Sequence, residues 1–170
     1  MRRIDATRLS YKYRVRLLTE DDMSEIYELC RSNPQYYRSH SLKLSRELVA
    51  EDMTILPPDK TAEDKYFLGW FDDDRTLAAV IDLIDGYASG DIAYIGFFMV
   101  AAERSGRGEG TEIMTELCGK LAQTGFSSVR LAYGKHNPQA EHFWKKNGFE
   151  AIKETDHEKY GSVIVAERKL

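Results

Sequence analysis

The segment Ser105, Gly106, Arg107, Gly108, Glu109, Gly110 sets glycines at alternate positions, directly after an apolar stretch over residues 93–100 and directly before a helical pattern beginning near Thr111. Residues of this kind in this order can hold an anion. Glycine lets the backbone approach a ligand closely and turn its N–H inward at positive φ. The free amides of the first helical turn then face the anion, helped by a dipole of roughly half a charge.

The surroundings of the loop limit which anion it can serve. A dinucleotide fingerprint requires an early strand and an acidic residue about twenty positions on, at the end of a second strand. Here that position falls in a later turn. A P-loop requires Gly-Lys-Ser or Gly-Lys-Thr, yet Gly110 is followed directly by Thr111. Cys30 and Cys118 stand far apart on helical patterns and read as small buried hydrophobes, with no disulfide framework or zinc spacing. No metal site is expected.

The elements that must position this loop follow from periodicity. Residues 13–18 alternate as a strand, and Thr19 precedes Glu20, Asp21 and Asp22 as an N-cap with an acidic first turn, opening a helix to about Arg31. Asn33 and Pro34 break it, and a second helix is expected over 45–54, before Pro57 and Pro58. Residues 65–71 and 76–84 flank the turn 72–75 as a hairpin. The unbroken apolarity of 93–100 predicts a central strand buried on both faces. On the helix after the loop, Ile113, Met114, Leu117, Cys118 and Leu121 form one stripe, Glu116 and Lys120 form an exposed i,i+4 pair, and Gly125 ends the helix. A strand over 128–133, a helix over 138–146 with Asn137 as N-cap before Pro138, and strands over 149–153 and 162–168 complete the order. The fold class is therefore α/β: a mixed, mostly antiparallel central sheet with helices on both faces. A chain of 170 residues fits one domain over 1–170.

The 24 basic and 28 acidic residues leave a net charge of −4, which argues against a nucleic-acid partner. The amino terminus, with Arg2, Arg3 and Asp5, has no apolar stretch to serve as a signal peptide, and no run is long enough to span a membrane. A cytoplasmic protein without a membrane partner is the expectation, as a monomer or homodimer.

Taken together, the element order, the strand over 93–100, the glycine loop and the segment Asn137, Ala140, Trp144, Gly148, Phe149 resemble the GNAT superfamily of coenzyme A-dependent N-acetyltransferases. The family's loop begins with Gln or Arg and continues after two residues with Gly, any residue, then Gly or Ala. Ser105 takes the first place here, and Gly108 and Gly110 match. The second signature is Asn, two residues, Ala, three residues, Tyr, three residues, Gly-Phe. Asn137, Ala140, Gly148 and Phe149 match it, with Trp144 in place of Tyr.

The resemblance implies acetyl-coenzyme A as co-substrate. Its pantetheine arm would lie along Phe98, Met99 and Val100, with Asn137, Ala140 and Trp144 beside it. The pyrophosphate would meet the segment from Gly106 to Thr111, with Arg104 or Arg107 adding charge. An amine would attack the thioester directly, and a strand amide near Met99 would stabilise the oxyanion. Where many members place a Glu as base this chain has Tyr94, a phenol suited to orienting water or the amine; Asp82 and His40 are the alternative bases. Trp144 cannot deliver a proton to the leaving thiolate, a task left to Tyr133 or water. The acceptor, a small-molecule or peptide amine, is expected among residues 33–44, 85–91 and 157–161, near Tyr36, Tyr37, His40, Asp82, Asp85, Tyr87 and Tyr160. Two other functions fit the same loop: an acyl-coenzyme A sensor without turnover, and a nucleotide enzyme that binds phosphate.

Overall fold

Two apolar strands make the centre of the molecule. Lys65–Phe71 and Leu77–Asp85 are covered on both faces along almost their whole length. In the computed structural model, which describes residues 3–170, they form an antiparallel pair within a sheet of seven strands. Residues 1 and 2, including the Arg2 of the amino-terminal reading, lie outside the described residues. The strands are β1 (Arg14–Leu17), β2 (Lys65–Phe71), β3 (Leu77–Asp85), β4 (Ile92–Val100), β5 (Ser128–Gly134), β6 (Glu150–His157) and β7 (Gly161–Lys169). Their order is β1-β2-β3-β4-β5-β7-β6, antiparallel throughout except for the parallel pair β4–β5. This is the mixed, mostly antiparallel α/β sheet expected from the sequence.

Helices cover both faces. On one side α1 (Met23–Arg31), α2 (Pro34–Ser39) and α3 (Arg46–Thr54) bury Ile26, Leu29, Tyr37 and Val49 against Phe67, Val80, Phe97 and Met99. On the other, α4 (Glu109–Thr124) and α5 (Pro138–Lys146) bury Ile113, Met114, Leu117, Leu121 and Trp144 against Leu68, Ile81, Ile95 and Leu131. No helix of the described residues is long and apolar enough to cross a membrane.

Local chemistry sets the ends. Thr19 and Asp22 close a capping box ahead of α1. Asn33 and Pro34 do end α1, but Pro34 also opens the short helix α2, because proline at the first helical position forfeits only an amide that has no partner there. The i,i+4 pair expected between Glu116 and Lys120 does not form. Glu116 instead accepts from the Ser10 hydroxyl and the Tyr11 amide, and Lys120 donates to the Tyr11 hydroxyl, so both tie the amino-terminal segment to α4.

The strand expected to be buried on both faces is the one that is opened. β4 pairs with β5 only from Ile92 to Ile95, and from Gly96 to Val100 it has no partner on that side. Gly96 is exposed, while Phe98 and Val100 are half-buried. A register shift between Asp82 and Leu83, opposite Gly96, changes the side-chain parity at the same point. Upstream, Ala93 and Ile95 face α4 and α5; downstream, Phe98 and Val100 do, while Phe97 and Met99 face α1–α3.

Candidate active site

The parting of β4 from β5 opens a cavity of about 810 Å³, lined from both helical layers. Backbone polarity at the gap follows from the register. Ala101 donates to the Ala78 carbonyl, so Met99, two residues back, belongs to the ladder pair with Val80, and Phe98 and Val100 turn their N–H and C=O away from β3 toward the gap. The Val100 carbonyl accepts from the Asn33 side chain at 3.0 Å. The strand amides near Met99 that face the cavity are those of its two neighbours, Phe98 and Val100, while the Met99 amide itself faces β3.

At the mouth of the gap, Gly106 and Gly108 have φ of +76° and +78°, and a Cβ at either would meet nothing within 4 Å. Gly108 is the left-handed N-cap of the sixteen-residue α4. The amides of Glu109, Gly110 and Thr111 thus have no acceptor within the helix. Ser105, Gly106, Gly108, Glu109, Gly110 and Thr111 all line the cavity, and Thr111 accepts from the Asn147 side chain at 3.3 Å. The cationic part of the expectation needs correcting. Arg107 is exposed and does not line the cavity. Arg104 lines it but is held by Asp72 and by Glu109, so its charge is already matched. Lys146 near the end of α5 also lines the cavity and was not anticipated.

Deeper in the gap stand Phe98, Tyr133, Asn137, Ala140 and Trp144. Asn137 caps α5 by accepting from the Ala140 amide at 3.1 Å. Trp144 is buried in an aromatic cluster, edge-on to Phe143 and Phe149 and tilted against Phe98. Burial pushes the Tyr133 phenol up from its ordinary value.

The opposite half of the cavity lies toward α2, α3 and the β6–β7 turn. Tyr36, His40, Asp82, Tyr87, Tyr94 and Tyr160 line it. Two expected residues do not. Tyr37 turns into the core on the α1–α3 side, since adjacent positions on a helix point in different directions, and Asp85 is taken by Arg3 at 3.4 Å. Asp82 is 6 % exposed, and its Oδ2 accepts from Lys65 at 2.8 Å. Its Oδ1 is buried and has no hydrogen-bond partner among the described residues. Burial pushes its carboxyl up to about 6, with Lys65 pulling the other way. Gly96 is required beside it, because a Cβ there would sit 2.6 Å from Asp82 Oδ2. Burial likewise pushes Tyr94 up to about 12 and lowers His40. Asp52 on α3, missed in the sequence, is raised by burial and paired with Lys159 of the β6–β7 turn at 3.3 Å. The only signal for it was an acidic residue on a weakly patterned helix.

A sheet parted at its parallel pair, with a glycine-loop helix at the opening, brings together the strand, the loop and the α5 segment that carry the sequence resemblance. The acetyltransferase (GNAT) family profile matches residues 21–149, and the chain belongs to that family. Solved structures share the fold. The acetyltransferase from Thermus thermophilus is 19 % identical with a TM-score of 0.78, over 94 % of this chain and 97 % of its own. A spermidine N-acetyltransferase SpeG chimera from Vibrio cholerae and hSSAT is 18 % identical with a TM-score of 0.68, over 93 % and 95 %. The ribosomal-protein-S18-alanine N-acetyltransferase from Escherichia coli is 15 % identical with a TM-score of 0.65, over 92 % and 93 %. No curated protein matches this sequence.

Proposed function

We propose that this protein transfers an acetyl group from acetyl-coenzyme A to a primary amine by direct attack inside the cavity. The observation that carries the reading is the gap itself: backbone of Phe98 and Val100 without a strand partner, only the Val100 carbonyl being met by the Asn33 side chain, facing an opening whose mouth is an uncluttered glycine loop. These residues fit the group. An extended amide-bearing arm can pair with strand backbone as another strand would. A diphosphate needs convergent amides at a helix N-terminus and room beside them, which the segment from Gly106 to Thr111 offers. When bound, the co-substrate supplies an activated thioester carbonyl.

The chain's own groups then have distinct tasks. The Phe98 or Val100 amide stabilises charge developing on the carbonyl oxygen. Asp82, rather than Tyr94, takes the proton of the attacking amine, because a carboxyl near 6 is ionised at neutral pH and a phenol near 12 is not. Tyr94 orients the amine. Trp144 walls the arm and keeps water out, its indole N–H holding a proton it cannot release. The thiolate, whose pKa is about 8.5 in an ordinary thiol, leaves with a proton from water or Tyr133. On this reading residues 1–170 make one cytoplasmic catalytic domain that needs no metal.

Thermal unfolding with acetyl-coenzyme A, coenzyme A or adenosine diphosphate in excess tests the co-substrate site, since a ligand of the native state raises the midpoint. A larger rise with both coenzyme A forms than with the nucleotide is expected. Equal rises with all three would reduce the site to a phosphate cradle and overturn the reading.

A further inference from the structure

Strands that part within a sheet need something to hold them apart. Beyond Ile95 the gap side of β4 has no strand partner, and β5 runs on through residues 132–134 without pairing to β4. Backbone N–H and C=O groups require partners, so two such edges would close on each other unless β4 were tied elsewhere.

The tie is made at the end of α1. Ser32 is the C-cap of that helix, and its hydroxyl donates to the Leu29 carbonyl at 2.6 Å while accepting from the Ala102 amide at 3.1 Å. The side-chain amide of Asn33 has two N–H bonds, and its two nearest acceptors are the Val100 carbonyl at 3.0 Å and the Leu29 carbonyl at 3.1 Å. Leu29 anchors both side chains, because its carbonyl lies at the helix end where backbone donors run out, and the residue itself is buried in the core. On the other edge of β4, Ala101 donates to the Ala78 carbonyl at 2.9 Å. Val100, Ala101 and Ala102 are thus gripped in succession just before the chain turns toward the glycine loop.

The grip bears most on the Val100 carbonyl. A carbonyl oxygen has two lone pairs, so with Asn33 on one the other stays open to an N–H in the gap. Asn33 itself lines the cavity. Capping does not explain it: it stands at the N-cap of α2, yet its side chain makes no cap hydrogen bond.

Resting on the proposed acetyl transfer, we propose that Asn33 is a positioning residue for the co-substrate. With Ser32 it fastens the end of β4 to α1, holding the gap open and the Val100 carbonyl in place to accept from an amide of the pantetheine arm. The diphosphate at the glycine loop is held without it.

Calorimetric titration with coenzyme A and with adenosine diphosphate, on the parent, Asn33→Asp, Asn33→Ala and Ser32→Ala, tests this. Thermal unfolding without ligand checks that each variant is folded. Asn33→Asp keeps the shape but has no N–H to give, and aspartate caps a helix as well as asparagine does. Both Asn33 variants are expected to bind coenzyme A roughly fivefold or more weakly, and adenosine diphosphate within about twofold of the parent, because only coenzyme A carries the arm. Ser32→Ala is expected to lose about threefold for coenzyme A alone, and decides the matter if the Asn33 variants do not fold. Parent-like coenzyme A affinity in the folded variants overturns the inference. So does an equal loss for both ligands, the mark of a general disturbance. A parent that binds coenzyme A no better than the nucleotide overturns both this inference and the proposed function before any substitution is made. Selective loss in the variants, with no thiol released from acetyl-coenzyme A by any amine offered, sustains the clamp and overturns acetyl transfer alone.

Discussion

Replacing Gly108 by Glu places a side chain and a negative charge at the mouth of the gap while leaving the protein's own packing almost untouched. A Cβ at Gly108 meets no atom within 4 Å, so the fold loses only what a left-handed L-residue costs at φ +78°, about 1–2 kcal/mol. The electrostatic consequence is larger. A carboxylate about 5 Å from a bound diphosphate, at an effective dielectric of ~20, raises its energy by roughly 3 kcal/mol per charge pair. That corresponds to a loss in coenzyme A affinity of about a hundredfold. Gly108→Ala carries the same backbone cost without the charge and serves as the control. Calorimetric titration with coenzyme A, alongside thermal unfolding of each variant, separates the two effects. A folded Gly108→Glu protein that binds coenzyme A within twofold of the parent would refute the assignment of this loop to the pyrophosphate.

Three further outcomes follow from the same geometry. Trp144→Tyr is expected to raise the acetylation rate severalfold below the thiol's ordinary pKa by restoring a proton donor in the gap; an unchanged rate in steady-state assays would leave water as the donor. Tyr94→Phe is expected to keep the shape of the pH–rate profile, since its phenol, pushed up to about 12, carries no proton change in the working range; loss of a limb of that profile would assign it a proton-handling role. Asp82 is the opposite case. Its folded-state carboxyl lies above its ordinary 3.8, at about 6, so the stability it contributes when protonated at low pH is lost as pH rises through about 6. That gap is worth about 3 kcal/mol as an upper bound, and urea unfolding should show Asp82→Asn gaining on the parent by about that much between pH 4 and 7. Parallel stability profiles would contradict the burial argument. The groups facing Asp82 across that window are Lys65 on β2, Asp52 on α3 and Tyr94 on β4.

Most of the fold was legible because its elements carry strong periodic signals and clear stops. The stripe of α4 is an example, Ile113 to Leu121 ended by Gly125 in the left-handed conformation. Two features were not. Asn33-Pro34 reads equally as the end of one helix and the start of another, and only the packing of Tyr37 into the core decides for both. The apolar run of β4 suggested burial on both faces, when its apolarity serves partly to line a gap. Nothing local in Gly96 distinguishes a strand glycine from one that yields to a carboxylate on the neighbouring strand. The glycine loop and the Asn137 cap were readable because both act on the backbone beside them, Gly108 as the left-handed cap of α4 and Asn137 by accepting from the Ala140 amide. Lys65, Asp52 and Lys159 were not, because their significance is pairing between residues far apart in sequence. Arg104 misled for the same reason: its partner Asp72 sits in the β2–β3 hairpin.

The most direct measurement is release of free thiol from acetyl-coenzyme A by the purified protein, with and without a primary amine, and with the acetylated amine quantified in the same reaction. Direct transfer predicts thiol and acetylated amine in equal amounts, and no early burst of thiol when the amine is withheld. Thiol released without amine, or acetyl groups retained on the protein, would contradict direct attack. Tight binding of acetyl-coenzyme A with no thiol from any amine would make the protein a sensor of the co-substrate instead of a transferase.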